Sequence, residues 1–297
     1  MNPANPKLFT EFVRWWQQNQ FGGLPCYWRR KPVWGGQLIQ KLGKHSEVSA
    51  RLFWGESMQV ITGETVSRSI LSFGYSEVAI TALMLYLVKA EQAVVDIGTH
   101  FGYEALLACE LVGTQGKVFC FEPSPTALPL ARKNLGRFPQ AELYQQAVAD
   151  HNGTLKLQNR VIWKSAFNSA TLDQYQGEYV EVPVTTLDYA LANRIQPIDF
   201  LKCDVEGFEM AVLRGAHELL SNDAPVLVLE TDMPSEDGRA SKRAFELAEY
   251  LERYSYQALS FDFNGSLRLG VLDSFPVHHA NIAFIPQTYS GLLTSKN

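Results

Sequence analysis

Cysteine pairs, metal-type spacings and long apolar runs are missing from this sequence, and each absence excludes something. The 297 residues include four cysteines, Cys26, Cys109, Cys120 and Cys203, scattered and never in a Cys-x-x-Cys pair. Three of them fall inside apolar patterns and read as reduced core residues, so neither a disulfide framework nor a zinc site is expected. No His-x-x-x-His pair offers a metal site either. No stretch of ~18 apolar residues occurs, which argues against a membrane span. The opening residues, Met1-Asn2-Pro3-Ala4-Asn5-Pro6, lack the basic-then-apolar pattern of a secretion signal, so a cytoplasmic protein is expected. There is no internal repeat or low-complexity tract, and an apolar fraction of 46% argues against disorder.

The most telling absence is a single glycine. The stretch Val94-Val95-Asp96-Ile97-Gly98-Thr99-His100-Phe101-Gly102 is an apolar run ending in an acid, followed by a glycine turn and a helical pattern. It reads as buried parallel strand, tight turn and helix start, the place where open α/β sheets bind nucleotide-like ligands. A dinucleotide fingerprint needs a middle glycine for the backbone to approach a pyrophosphate. His100 stands there instead. The remaining pattern, Asp-x-Gly-x-x-x-Gly, fits a ligand with an amino-acid end and no phosphate, such as S-adenosylmethionine.

Charge and aromatics are unevenly spread. Net charge is −5, yet residues 1–55 carry eight Lys or Arg against Glu11 and Glu47. Five of the six tryptophans, Trp15, Trp16, Trp28, Trp34 and Trp54, also lie in this region. Phe9, Phe12, Val13 and Trp16 recur at helical spacing, which predicts an amphipathic helix over 6–19. The glycine- and proline-broken stretch 21–43 reads as irregular, with one short helix near 37–42. Alternation over 47–62 predicts a β-hairpin. Residues 1–62 thus form an aromatic, basic arm with a hairpin. It could dock on the body, on a second copy in a homodimer, or on an anionic substrate; a packing role is favoured, as a lid or a dimer surface, over an aromatic binding cage.

Residues 63–297 read as the main domain. A helix over 76–90 precedes strands at 93–97, 117–122, 141–148, 198–203 and 225–230, alternating with helices near 102–112, 125–136, 207–220 and 239–253. That rhythm implies a mostly parallel sheet with helices on both faces. Two alternating runs, 153–158 and 178–185, form an insertion that pairs with itself or extends an edge. The runs 256–263 and 281–285 look like a closing strand pair. The fold class is therefore α/β and Rossmann-like, a seven-stranded sheet with a C-terminal antiparallel strand.

Ligands gather at the carboxyl ends of such strands. Asp96 there can orient an amino group, and Gly98 and Gly102 let backbone pass close to the ligand. Glu122, ending the second strand, can accept hydrogen bonds from ribose hydroxyls. Gln146 and Ala147, at the end of the third, can bind and make room for an adenine edge. After the fourth strand, Asp204, Glu206 and Glu209 follow within six residues. Glu209 reads as an ordinary helix-start acid, whereas Asp204 and Glu206 read as functional. Glu230 and Asp232 add acid to the same rim. These carboxylates could bind a divalent metal, but without a metal-type spacing no metal is assigned. His100, inside the turn, is a candidate ligand contact and a less favoured general base.

Together these motifs resemble the FkbM-type S-adenosylmethionine-dependent methyltransferases. The likeness lies in Val95-Asp96-Ile97-Gly98, Phe121-Glu122-Pro123, Thr186-Leu187-Asp188 and Lys202-Cys203-Asp204-Val205-Glu206-Gly207-Phe208-Glu209. It continues in Val212-Leu213-Arg214-Gly215-Ala216 and Asn281-Ile282-Ala283-Phe284-Ile285-Pro286, spanning about residues 50 to 288. The family usually has Asn where this chain has His100, and Ala where it has Thr99. The resemblance implies a class I methyltransferase fold, the cofactor S-adenosylmethionine and O-methylation of a small hydroxyl-bearing substrate, a sugar or natural product. Asp204 would then orient the cofactor or acceptor, and Glu206 (less favoured, His100) would take the acceptor's proton. Two rival readings are a nicotinamide-dependent oxidoreductase and a non-catalytic binding protein on the same fold. A nucleic-acid methylase is disfavoured by the acidic body.

Overall fold

The computed structural model describes residues 2–21, 24–25, 45–162 and 177–289. The short helix expected near 37–42, together with Cys26, Trp28 and Trp34, lies outside the described residues. Helix α1 (Pro6–Gln18) forms where the sequence predicts it. Its aromatic stripe faces inward. Phe12 is fully buried, and the rings of Phe9, Phe12 and Trp16 each pack within 5–7 Å of Phe263. These contacts dock α1 on the body, with Phe12 buried and Phe9 and Trp16 half-buried. Strands β1 (Gln20–Phe21) and β2 (Leu24–Pro25) make a small antiparallel pair.

The predicted hairpin is β3 (Glu47–Arg51) with β4 (Ser57–Ile61). Helix α2 (Thr65–Phe73) follows, which the sequence reading did not separate. The buried Glu64 caps it by accepting from the N–H groups of Val66 and Ser67 at 2.9 and 2.6 Å. Helix α3 (Val78–Leu87) is apolar all round because it lies in the core between α1 and the sheet.

The main sheet opens with β5 (Ala93–Ile97), α4 (Tyr103–Val112), β6 (Lys117–Phe121), α5 (Leu128–Leu135) and β7 (Ala141–Tyr144). The strand predicted over 141–148 is cut short. Beyond Tyr144 the chain leaves the main sheet, and β8 (Ala147–Val148) joins a separate three-stranded sheet with β9 (Gly153–Gln158) and β10 (Tyr179–Thr185). In that sheet the two insertion runs pair antiparallel with each other, as one of the two expectations had it. Helix α6 (Leu187–Ala190) then leads to β11 (Phe200–Cys203).

The single helix predicted over 207–220 is two, α7 (Glu209–Arg214) and α8 (His217–Asn222). The break is at Gly215, where a Cβ would lie 2.0 Å from the Ala149 carbonyl oxygen, so the backbones touch directly. Asp188 fastens α8 by accepting from the N–H groups of Glu218 and Leu219. Strand β12 (Val226–Glu230) and helix α9 (Lys242–Glu252) come next.

The closing segment is β13 (Tyr256–Phe263), β14 (Leu267–Val271) and β15 (Asn281–Pro286). The Asn264-Gly265 turn makes a tight hairpin into β14, an edge strand additional to the seven expected. The main sheet runs β14-β13-β15-β12-β11-β5-β6-β7, with β15 antiparallel to both neighbours. Two apolar layers cover it. One holds α1 to α4 and the hairpin over Val94, Phe200 and Val228; the other lies over Val95, Leu201 and Leu227. Among the described residues, no single helix is long and apolar enough to cross a membrane.

Candidate active site

A cavity of about 370 Å³ opens at the carboxyl ends of β5, β6, β11 and β12, a size suited to a small-molecule ligand. Its floor is the glycine turn. Gly98 has φ +84°, and a Cβ there would lie 1.8 Å from the Asp204 carbonyl oxygen. The glycine therefore lets the ends of β5 and β11 close on each other, in addition to any approach it allows a ligand. The Asp204 N–H donates to Ile97 across the same seam at 3.0 Å. Gly102 does not line the cavity. It starts α4 with φ +94°, facing Leu135.

Glu122 is 5% exposed and held from two sides: the His100 N–H donates to Oε2 at 2.7 Å and the Ser124 N–H to Oε1 at 2.8 Å. Burial nonetheless pushes it up to about 7. His100 reaches this contact through a left-handed backbone, φ 51°, and its ring stacks on Phe101. Burial lowers its imidazole to about 4, so the ring is neutral and a weak proton acceptor, which counts against its role as base. Gln146 and Ala147 line the cavity, but from the short strand β8 and its approach, since the third main strand ends at Tyr144.

Asp96 sits just behind the wall. It is 1% exposed and neither carboxylate oxygen has a hydrogen-bond donor among the described residues. Burial raises it to about 7, against the pull of Lys202. Parallel register puts Asp96 beside Lys202 on β11. Lys202 Nζ lies 3.1 Å from Asp204 Oδ2 and 3.9 Å from Glu77 Oε2. Burial pushes Asp204 upward, but Lys202 and a hydrogen bond with Glu230 outweigh it and hold Asp204 below its ordinary value. Burial and the neighbouring Asp204 drive Glu230 the other way, well above the usual carboxylate range. Glu206, at the mouth with a left-handed φ of 51°, is raised to about 7 by burial and then by Asp204.

Oxygens of Asp204, Glu206 and Glu230 come within 4.8 Å of one another, close enough in spacing for a cation. The Lys202 ammonium lies on Asp204, which also shares a hydrogen bond with Glu230, so these two carboxyls can share a proton.

Several site residues lay outside the sequence reading. Glu77, before α3, has a strained φ of 36° and accepts from Asn281 Nδ2 at 3.2 Å. It shares positive φ with His100 and Glu206, a clustering typical of functional sites. Glu104 of α4, Lys202 and the roof residues Thr65, Val66 and Ser69 of α2 also line the cavity. Glu209 sits in the first turn of α7, as assigned, and also braces the functional loop. It is fully buried, accepts from the N–H of Val205 at 3.1 Å and pairs with Arg243. The run Asp-x-Glu-x-x-Glu was the available signal, since the third acid can fold back on the loop that carries the first two.

The cavity wall carries six carboxyl groups and one lysine. A dinucleotide pyrophosphate would be repelled there, while a ligand bearing ammonium and sulfonium charges would be welcomed. The family model for the methyltransferase FkbM domain matches residues 96–258. The chain belongs to the FkbM methyltransferase family. The nicotinamide reading is thereby set aside, and this FkbM methyltransferase uses S-adenosylmethionine. The orphaned oxygens of Asp96 and the carboxyl-rich wall fit that cofactor's cationic end.

Among curated proteins, the 2-O-methyltransferase NoeI of Sinorhizobium fredii (strain NBRC 101917 / NGR234) is 25% identical over 173 residues, covering 53% of this chain and 71% of that one. The crystal structure of methyltransferase FkbM from Methylobacillus flagellatus KT is 15% identical with a TM-score of 0.44, covering 66% of this chain. The match spans 44% of that structure's own chain. Aeropyrum pernix fibrillarin with natively bound S-adenosyl-L-methionine is 16% identical with a TM-score of 0.42, covering 69% of this chain and 73% of that one.

Proposed function

We propose that this FkbM methyltransferase methylates a hydroxyl oxygen of a small molecule, a sugar or secondary metabolite. The observation that carries the reading is Glu206, a carboxylate at the cavity mouth raised to about 7, where proton transfer near neutral pH is efficient. The likeness to a protein named as a 2-O-methyltransferase supports it. S-adenosylmethionine, when bound, supplies a methyl group whose bonding pair leaves with the sulfur. The residues align and deprotonate. Glu122 would accept from its ribose hydroxyls, Gln146 and Ala147 would border its adenine, and Asp96 would attract its amino-acid end from behind Gly98. Asp204 orients the methionine end or the acceptor. As the acceptor oxygen bonds to the methyl carbon, its proton passes to a Glu206 oxygen. Much of the rate then comes from in-line alignment.

The test is titration of the protein with S-adenosylhomocysteine, followed by a screen of sugar and metabolite hydroxyls with methyl-labelled cofactor. Micromolar binding and label on an ether oxygen support the reading. Binding without transfer to any acceptor would favour the binding-protein alternative. Glu206→Gln should lower turnover by about 100-fold or more while sparing homocysteine-adduct binding; unchanged turnover would sink the assigned role.

A further inference from the structure

Lys202 is 3% exposed, and no other lysine or arginine among the described residues is so deeply buried. A buried ammonium is costly unless well paired, and an apolar side chain of similar volume would often serve stability as well. Its place in the wall of the cavity suggests another use. From β11 it leaves the sheet on the face that carries α3 and α4, in register with Asp96. It meets Asp204 at 3.1 Å and Glu77 at 3.9 Å, with Asp96 and Glu104 also facing it.

We propose that Lys202 is a positioning residue for methyl transfer: its ammonium holds Asp204 as the anion, Asp204 keeps a proton on Glu230, and Glu206 is left to take the acceptor's proton. The proposal rests on the O-methylation reading. Three carboxyls within 4.8 Å cannot all be ionised. With no cation in contact, the charge would be shared among them and the base would be neutralised for part of the time. The ammonium lies against Asp204, so charge settles on that member. Glu230, hydrogen-bonded to Asp204, holds the proton. Glu206, the member of the trio at the mouth, is influenced also by Arg160 and Arg243, and His100 faces Asp204 as a neutral ring.

The test compares Lys202→Gln and Lys202→Arg with the parent, reading turnover against pH at saturating cofactor and, separately, S-adenosylhomocysteine binding. Removing a cation beside a coupled carboxyl group raises the group's macroscopic pKa values. The acid limb of Lys202→Gln should therefore move up by about one pH unit or more, and Lys202→Arg should restore it. A folded, ligand-binding Lys202→Gln whose limb stays in place would overturn the proposal and leave a structural ion pair. A second measurement needs no Lys202 variant and no turnover. Infrared spectra of protein with isotope-labelled glutamate carboxyls should show a protonated carboxyl persisting at pH 8 that Glu230→Gln removes. Its absence would also overturn the proposal. Failure of the parent to methylate any hydroxyl would count against the O-methylation reading, and the infrared result would still judge the Lys202 charge arrangement.

Discussion

Gly98→Ala should damage stability and cofactor binding together, by an amount the geometry sets. An L side chain at φ +84° costs about 1–2 kcal/mol from the left-handed backbone alone. The added Cβ would also lie 1.8 Å from the Asp204 carbonyl oxygen, and this neighbour is backbone, which cannot rotate away. The ends of β5 and β11 must part, adding about 1–3 kcal/mol of overpacking. The 3.0 Å bond from the Asp204 N–H to Ile97 would stretch, at roughly 1 kcal/mol more. The total is roughly 3–6 kcal/mol. Gly55→Ala is the control: it too has a positive φ, +99°, but nothing lies within 4 Å of the added carbon, so it should cost only the backbone part. Denaturant midpoints of both variants, at equal slopes, give the difference. Moving Asp204 by about an ångström should also weaken S-adenosylhomocysteine binding by about 100-fold. Equal stability of the two variants, or intact binding in Gly98→Ala, would refute the close-seam argument.

Three further outcomes are expected. Asp96 is an acid whose folded pKa, about 7, lies above its ordinary value of 3.8, so the folded state binds the proton more tightly. Its destabilising effect is absent below about pH 4, grows as pH rises towards 7 and is complete above, where it corresponds to roughly 4 kcal/mol. Asp96→Asn should therefore raise the melting temperature of the ligand-free protein at pH 8 more than at pH 5, while weakening S-adenosylmethionine binding by about tenfold. A pH-independent change in melting would count against it. Phe12→Ala, which empties a fully buried site between α1, Phe53 and Phe263, should cost about 3–5 kcal/mol by chemical denaturation; a negligible loss would mean that α1 is not docked. Thermal protection by S-adenosylmethionine should be larger at pH 8 than at pH 6, because Glu77, raised to about 8, and Glu122 and Glu206, raised to about 7, carry more charge there; equal protection would argue against the electrostatic account.

Local pattern and tertiary packing account for different parts of this protein. The apolar runs ending in Asp96, Glu122 and Asp204 are local signals, and strands with acid at their carboxyl ends formed where the pattern put them. The amphipathic stripe of α1 and the 47–62 hairpin were legible for the same reason, since burial of one face follows from period alone. The glycine turn lacking its middle glycine pointed to S-adenosylmethionine, and the resemblance to the FkbM family reinforced that reading. Four features were not legible. The split at Gly215 depends on the Ala149 backbone, remote in sequence, and the break after Tyr144 goes with the pairing of Ala147 and Val148 to β10. The edge strand β14 depends on how tightly Asn264-Gly265 turns. Lys202 opens the motif that carries the family resemblance, but its position in the chain gives it no role. Only the pairing of β11 with β5 brings it against Asp96, and only the packing of α3 and α4 on that face adds Glu77 and Glu104. Charge on a strand-end residue is a property of sequence; which carboxyl keeps it is decided by burial and by the neighbours that the fold supplies.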